Sequence, residues 1–518
     1  MKRQPNFLII HVDQLRYDCV GSSKRREGIY TPYIDSIAWQ GAQFRSAYCD
    51  CPICIPQRMS LLTGQTPAHH GLLSNTGIPY FPLETTLPAE MRRGGYQTAM
   101  VGRTMHTYPE QCSYGFEYYL PGDPSEGQDD KVDAFFRYLR DHAPAEAGGY
   151  YGCGSQNNSR AAYPFHLPNE FHQTQWATNR ALEFLDTRDP NRPYMLFVGY
   201  YAPHSPHNAP AEYYNQYYSR TDLDEPYLAD WDIPPISSGN VNARYHTLSK
   251  EEKRRLYAGY YGNIAFIDAQ VGRLVQRAMR ENAYILFTSD HGEMLGDHYL
   301  MQKNRPYEGA VHIPFVMMGP GIPDSQRIDA PVSWTDIMPT ILDLAGLPIP
   351  ASVDGHSLAP LLKGEDPAWP RPYLHGECCH DFLFGLKSVP KSDKHNFFYE
   401  KGSQYITDGK LKYIWYVTSG REQLFDVVHD YREQHDLSAD PAYAGQMDAF
   451  RAALIRELAG RPEGFSDGER LIPGKTPRRT SETVAALVEQ RKQEGFTIAY
   501  TREPSPLDHL DYSDQLMR

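Results

Sequence analysis

Four short apolar runs constrain this chain more than any other feature: Phe7–Val12, Gln97–Gly102, Tyr194–Tyr200 and Ala283–Thr288. Each is continuous rather than alternating and gives way to polar or glycine-rich residues, the pattern of parallel strands buried on both faces. Helical patterning falls between them, around Gln173–Leu185 and Leu256–Arg280. Strand–helix alternation of this kind predicts a doubly wound α/β sheet with helices on both faces. Each run also leads into residues capable of chemistry. The first ends in Asp13-Gln14, the second in Arg103 and then His106, the third in Pro203-His204, the fourth in Asp290-His291. Ligands of open α/β sheets bind at the carboxyl ends of the strands, so these groups are expected to converge on one edge.

A chain of 518 residues exceeds what one small core organises. The texture changes near residue 370. Lys410–Val417 and Gln423–Val427 read as antiparallel strands and Ala442–Leu458 as a helix. The expected division is an α/β domain over 1–370, a smaller α+β domain over 371–462 and an arm over 463–518. The arm carries one helix near Thr480–Gly495 and suits a surface wrapper or a contact between copies, so a homo-oligomer is an expectation. A formal charge of −13 argues against a nucleic-acid partner, which needs a basic surface. No stretch approaches the ~20 apolar residues of a membrane span. Phe7–Val12 is too short for the apolar region of a signal peptide. A cytoplasmic location with reduced cysteines follows as an expectation.

The most specific stretch runs from Cys54 to Gly64, CIPQRMSLLTG. Pro56 suits the first turn of a helix, where a missing N–H costs nothing. Cys54 then sits at the helix N-terminus, where the dipole and the free amides favour an anion. Arg58, one turn along, can hold an oxyanion through charge-assisted hydrogen bonds. Cys51 and Cys54 also form a C-x-x-C that suits a redox pair, but a redox domain leaves Arg58, Thr63, Gly64 and the distant aspartates without a purpose. Zinc ligation by Cys51, Cys54 and Cys378-Cys379-His380 lacks paired spacing. Asp13-Gln14 with Asp290-His291 forms an oxygen-rich set that suits a hard divalent cation such as Ca²⁺, and the histidine leaves Mn²⁺ open. Either pair alone reads as a cap or turn.

Cys54, Pro56, Arg58, Leu61, Thr63 and Gly64 match the signature C-x-P-x-R-x-x-L-x-T-G, and the chain resembles the type I sulfatases of the alkaline phosphatase superfamily. Thr288–His298, TSDHGEMLGDH, is similar to that family's metal-binding segment; Tyr260–Gly272 and Asp354-Gly-His-Ser-Leu resemble further family segments. The resemblance spans Asn6 to about Leu458. It implies an alkaline-phosphatase-like fold and a formylglycine made from Cys54 by a maturase. It also implies one divalent cation held by Asp13, Gln14, Cys54, Asp290 and His291. Asp13-Gln14, where the family often has two aspartates, is similar to the choline-sulfatase and phosphonate-monoester-hydrolase branches. Gly102-Arg-Thr-Met-His106 resembles the family's G-K-x-H, with Arg103 in place of lysine, and Pro203-His204-Ser-Pro206 resembles its P-H-x-P. Lys303 follows the metal segment as a second active-site lysine does, and Asn75 resembles a substrate-contacting asparagine of the phosphonate hydrolases.

The implied activity is hydrolysis of a sulfate monoester of a small molecule or saccharide, such as a sulfated sugar or aryl sulfate. Arg58, Arg103 and Lys303 would balance charge on the sulfuryl group, and His204 or Lys303 would protonate the leaving alcohol. His106 would deprotonate the second hydroxyl of the hydrated aldehyde. The alternatives are a phosphonate monoester or phosphodiester hydrolase on the same scaffold, and a non-catalytic binder of sulfated glycans. His207, His298 and His312 read as structural.

Overall fold

The computed structural model describes residues 4–75, 85–103, 113–124, 133–220, 222–223, 226–232, 245, 248–365, 369–379, 400–478 and 480–493. Its main sheet has eight strands: β1 (Asn6–Asp13), β2 (Ala42–Phe44), β3 (Gln97–Gly102), β4 (Tyr118–Pro121), β5 (Tyr194–Pro203), β6 (Ala283–Ser289), β7 (Phe315–Met318) and β8 (Gln326–Ile328). Their order is β4-β3-β5-β1-β6-β7-β2-β8. The run from β4 to β6 is parallel, and antiparallel β7 joins it to the parallel pair β2–β8. The four apolar runs are the adjacent strands β3-β5-β1-β6, so their polar ends share one edge. Strands β2, β4, β7 and β8 are too short, or too ordinary in composition, to stand out in the sequence.

Period-two alternation divides the core into two layers. Leu8, Ile10 and Val12 join Leu196, Val198, Ile285 and Phe287 beneath the helices Pro32–Trp39, Gln173–Thr187 and Lys250–Ala278. Phe7, Ile9, Met195, Phe197 and Leu286 face the opposite way, against the helices Cys54–Thr63, Leu87–Arg93 and Ile337–Leu344. This is the expected α/β fold with helices on both faces. The long helix begins at Lys250 rather than near Leu256. Ser249 and Glu252 form a capping box there, and the first turns are too polar to show an apolar stripe.

Strands β9 (Leu374–Cys379), β10 (Gly402–Thr407), β11 (Leu411–Tyr416) and β12 (Glu422–Asp426) form an antiparallel sheet in the order β12-β11-β10-β9. Ile406, Tyr413, Trp415 and Leu424 pack on Met447, Phe450 and Leu454 of the helix Ala444–Glu457. The other face contributes Tyr405, Ile414, Tyr416 and Phe425 to the second core layer of the main sheet. Lys412 is fully buried at this junction, 3.0 Å from Glu308 Oε1 and 2.8 Å from Glu433 Oε1. The helix Glu482–Gln493 follows, and just before it Ser481 N–H donates to the Gly71 carbonyl at 2.8 Å. Among the described residues no helix is long and apolar enough to cross a membrane.

Candidate active site

The signature segment is the helix Cys54–Thr63, and all of its residues are buried. Cys54 opens the first turn and Pro56 lies within it. Thr63 Oγ1 donates back to the Met59 carbonyl at 2.8 Å, and Gly64 ends the helix at φ +66°. The Gly64 carbonyl accepts from Asp354 and Gly355 N–H at 2.9 and 3.1 Å. The two distant motifs therefore form one structural joint. Asn75 Oδ1 accepts from Ile55 N–H at 3.0 Å, which satisfies an orphan amide of the first turn and ties Asn75 to the Cys54 end of the helix.

Cys54 Sγ lies 3.2 Å from His291 Nε2 and 3.9 Å from Asp13 Oδ1. His291 Nε2 is 3.8 Å from Asp13 Oδ1 and 3.6 Å from Asp290 Oδ1. Each of these groups is fully or almost fully buried. One ligand atom from each of Asp13, Cys54, Asp290 and His291 fits within a 4.8 Å span, the size of a coordination sphere. The imidazole is suitably oriented. Its Nδ1 lies 3.0 Å from the Gly292 carbonyl, so the Nδ1–H is spent there and the Nε2 lone pair faces the cluster. Two carboxylates and an imidazole fit a divalent cation. Gln14 sits beside them with Oε1 accepting from Lys303 Nζ at 2.8 Å.

Cations surround the carboxylates. Arg58 Nη2 hydrogen-bonds Asp13 and also donates to Asp290 Oδ2 at 3.1 Å. Arg103 Nε donates to Asp13 Oδ2 at 2.6 Å, its Nη1 pairs with Asp123, and its guanidinium lies 4.8 Å from the Tyr201 ring centre. Burial alone would raise the Asp13 pKa, but Arg103, Arg58 and Lys303 hold it well below the usual carboxylate range. Burial, reinforced by Lys303 and Arg103, keeps the His204 imidazole neutral far below its ordinary range. His204 Nδ1 lies 2.8 Å from the Ser205 carbonyl, so the neutral ring donates there and presents Nε2 as an acceptor. For His291 burial is outweighed by Asp290 and Cys54, and the net shift is upward.

The structure thus brings Asp13, Gln14, Cys54, Arg58, Arg103, His204, Asp290, His291 and Lys303 to one edge, with Asn75 bonded to the same helix. His106 lies outside the described residues. His207, His298 and His312 are buried in local hydrogen bonds to Pro203 O, Asp232 and Glu308 respectively. Cys51 turns its thiol toward the Leu73 carbonyl at 3.8 Å rather than toward Cys54. Sequence reasoning missed three groups. His11 Nε2 approaches Asp290 Oδ2 at 3.6 Å from the strand that carries Asp13. Glu293 accepts from Gln14 and lies inside the quoted metal segment. Asp123 follows β4, a strand without an apolar signal, so nothing in the sequence marked it.

Four buried carboxylates, Asp13, Asp123, Asp290 and Glu293, stand against the three cations Arg58, Arg103 and Lys303, a balance that favours a further cation, and the Cys54 thiol lies at a helix N-terminus beside them. The profile of the Sulfatase family matches residues 5–347, and that of the N-sulphoglucosamine sulphohydrolase C-terminal region matches residues 296–459. An arylsulfatase of Clostridium perfringens is 34% identical over 91% of this chain and 98% of its own. A multifunctional alkaline phosphatase superfamily protein of Trinickia caryophylli is 30% identical over 88% of this chain and 93% of its own. The phosphonate monoester hydrolase of Agrobacterium radiobacter superposes with a TM-score of 0.70 at 24% identity, covering 88% and 95% of the two chains. The chain belongs to the sulfatase family, and its activity is sulfate ester hydrolysis.

Proposed function

We propose that the nucleophile is a formylglycine produced from Cys54, and that Asp13, Gln14, Asp290 and His291 hold one Ca²⁺ beside it. The observation that carries this is the position of Cys54: at a helix N-terminus, 3.2 Å from His291 Nε2 and 3.9 Å from Asp13 Oδ1. Conversion oxidises the Cys54 side-chain carbon by two electrons: its C–S bond breaks, the sulfur leaves as sulfide, a C=O bond forms, and the maturase brings the oxidant that accepts the electrons. The hydrated aldehyde carries two hydroxyls. One attacks sulfur; loss of the proton on the other expels sulfate and restores the aldehyde, an exit that a serine or cysteine nucleophile lacks. The cation, when bound, supplies Lewis-acid polarisation and lowers the pKa of the attacking hydroxyl.

The chain's own groups perform the rest. Arg58, Arg103 and Lys303 balance charge on the sulfuryl oxygens, and Arg103 is preset by Asp13, Asp123 and Tyr201. Burial, Lys303 and Arg103 push the His204 imidazole down from its ordinary range, which favours Lys303 as the proton donor to the leaving oxygen and His204 as its hydrogen-bonding neighbour. His106 remains the base for the second hydroxyl in this scheme. Sulfated sugars and aryl sulfates are the substrate class, in keeping with the arylsulfatase relative. The division at 370 and 462 belongs to the same reading, supported by β9 beginning at Leu374.

Gln14 favours a second activity. Asp13-Gln14 resembles the phosphonate-monoester-hydrolase branch, and a phosphonate monoester carries the same single negative charge as a sulfate monoester, so the same cations would accept it. Peptide mass spectrometry after co-expression with a maturase, followed by turnover of aryl sulfate, sulfated sugar, choline sulfate and phosphonate ester, tests both. Cys54 left as a thiol in an active enzyme would defeat the formylglycine assignment, and a phosphonate rate above every sulfate rate would make the second activity the principal one.

A further inference from the structure

Gln14 follows β1 at φ +72°, a conformation that a residue other than glycine adopts only when its surroundings impose it. Its backbone N–H donates to Asp290 Oδ1 at 3.1 Å, and its carbonyl accepts from the Tyr260 hydroxyl at 2.8 Å. The side-chain amide is gripped as well. Lys303 Nζ donates to Oε1 at 2.8 Å, and Nε2 donates to Glu293 Oε2. Glu293 is fully buried. Its second oxygen accepts from Leu295 N–H at 2.9 Å and from Gln302 N–H, which closes the loop between His291 and Lys303.

An amide has nearly the same shape after a half-turn, but only its oxygen can ligate a cation or accept from an ammonium. Shape alone cannot hold Gln14 in the useful orientation. A partner that only accepts hydrogen bonds can. We propose that Glu293 is a positioning residue that sets the Gln14 amide, so that oxygen and not nitrogen faces Lys303 and the cation site. The same carboxylate sets the approach of Lys303 through the loop amide of Gln302. This role rests on Gln14 belonging to the cation set described under Proposed function.

The polarity of the pair can be reversed. Glu293→Gln opposes one NH₂ with another, so Gln14 must flip or lose its bond, while position 293 keeps an oxygen for the two loop amides. Gln14→Glu opposes two carboxylates. The double variant Q14E/E293Q restores a donor and an acceptor with the roles exchanged and again presents an oxygen to Lys303.

The test is retention of Ca²⁺ and of Mn²⁺ by the wild type, both single variants and the double variant in graded chelator, with urea midpoints measured in parallel. Each single variant is expected to lose about 10–100-fold in metal affinity, and the double to return to within about tenfold of wild type. E293Q that binds metal as the wild type does would overturn the proposal. So would a double variant that binds no better than the singles, or that fails to fold. A wild type that binds neither cation would instead refute the cation assignment. In that case the urea midpoints decide the Gln14–Glu293 pairing, with additive losses in the double variant overturning it.

Discussion

Gly102 is where backbone geometry most directly sets the chemistry. It pairs with Gly199 across β3 and β5, and its φ is +96°. A Cβ there would lie 2.1 Å from the Gly199 carbonyl oxygen and 3.2 Å from Ala177 Cβ. Gly199 is constrained reciprocally, since its Cβ would lie 2.5 Å from the Arg103 carbonyl oxygen. For Gly102→Ala the left-handed backbone costs ~1–2 kcal/mol, and relief of the overlap costs a further ~1–3 kcal/mol. Relief also requires the end of β3 to move, and that end carries Arg103, whose Nε holds Asp13 at 2.6 Å. A displacement of ~1 Å there is expected to lower kcat/KM by about 10²-fold. Gly95→Ala is the control, because Gly95 has φ +89° but nothing within 4 Å of its built Cβ. Urea unfolding and aryl sulfate turnover are measured on both variants. G95A should lose only the backbone part of the stability and keep its rate. G102A with the wild-type kcat/KM and a midpoint no lower than that of G95A would refute the link between the glycine pair and the site.

Burial pushes the Asp50 carboxyl up to about 7 from an ordinary 3.8. Its folded-state pKa lies above its unfolded one, so its contribution to stability is whole below the unfolded value and is lost as pH rises through about 7. Asp50→Asn should therefore gain ~3 kcal/mol over the wild type between about pH 5 and about pH 8 in urea titrations; a constant gap between the two proteins contradicts this. Asn75→Ala should cost ~1 kcal/mol through the lost Ile55 cap, while Asn75→Asp, which keeps the acceptor, should melt like the wild type. A raised KM in the aspartate variant would show instead that the amide NH₂ meets substrate. Lys412→Met leaves Glu308 and Glu433 buried without their shared cation and should destabilise by ~3–5 kcal/mol, read from the urea midpoint. An unchanged midpoint would show that the junction of the two sheets does not depend on it.

Much of this architecture was legible before folding, because local physical rules wrote it into consecutive residues. A strand buried on both faces must be continuously apolar, so β1, β3, β5 and β6 declared themselves, and the residues just past each of them marked one functional edge. The helix Cys54–Thr63 was legible for the same reason: Pro56 and Gly64 act on their own turns. Strands β2 and β4 were not, since short strands draw their stability from neighbours distant in sequence.

What only the tertiary structure decided is how side chains from distant segments divide their partners. The residues of the buried cluster around Cys54 could be named from the sequence, but not the sharing of Asp13 between Arg58 and Arg103, the hold of Asp123 on Arg103, or the grip of Glu293 on Gln14. The role of Asp354 in closing the Cys54 helix was hidden in the same way, 290 residues from Gly64 in round terms but joined to it by a 2.9 Å hydrogen bond. Strand and helix signals are periodic and local, so one chain segment suffices to state them. Hydrogen-bond polarity and charge balance depend on which groups meet after the sheet has closed, and no spacing along the chain encodes that.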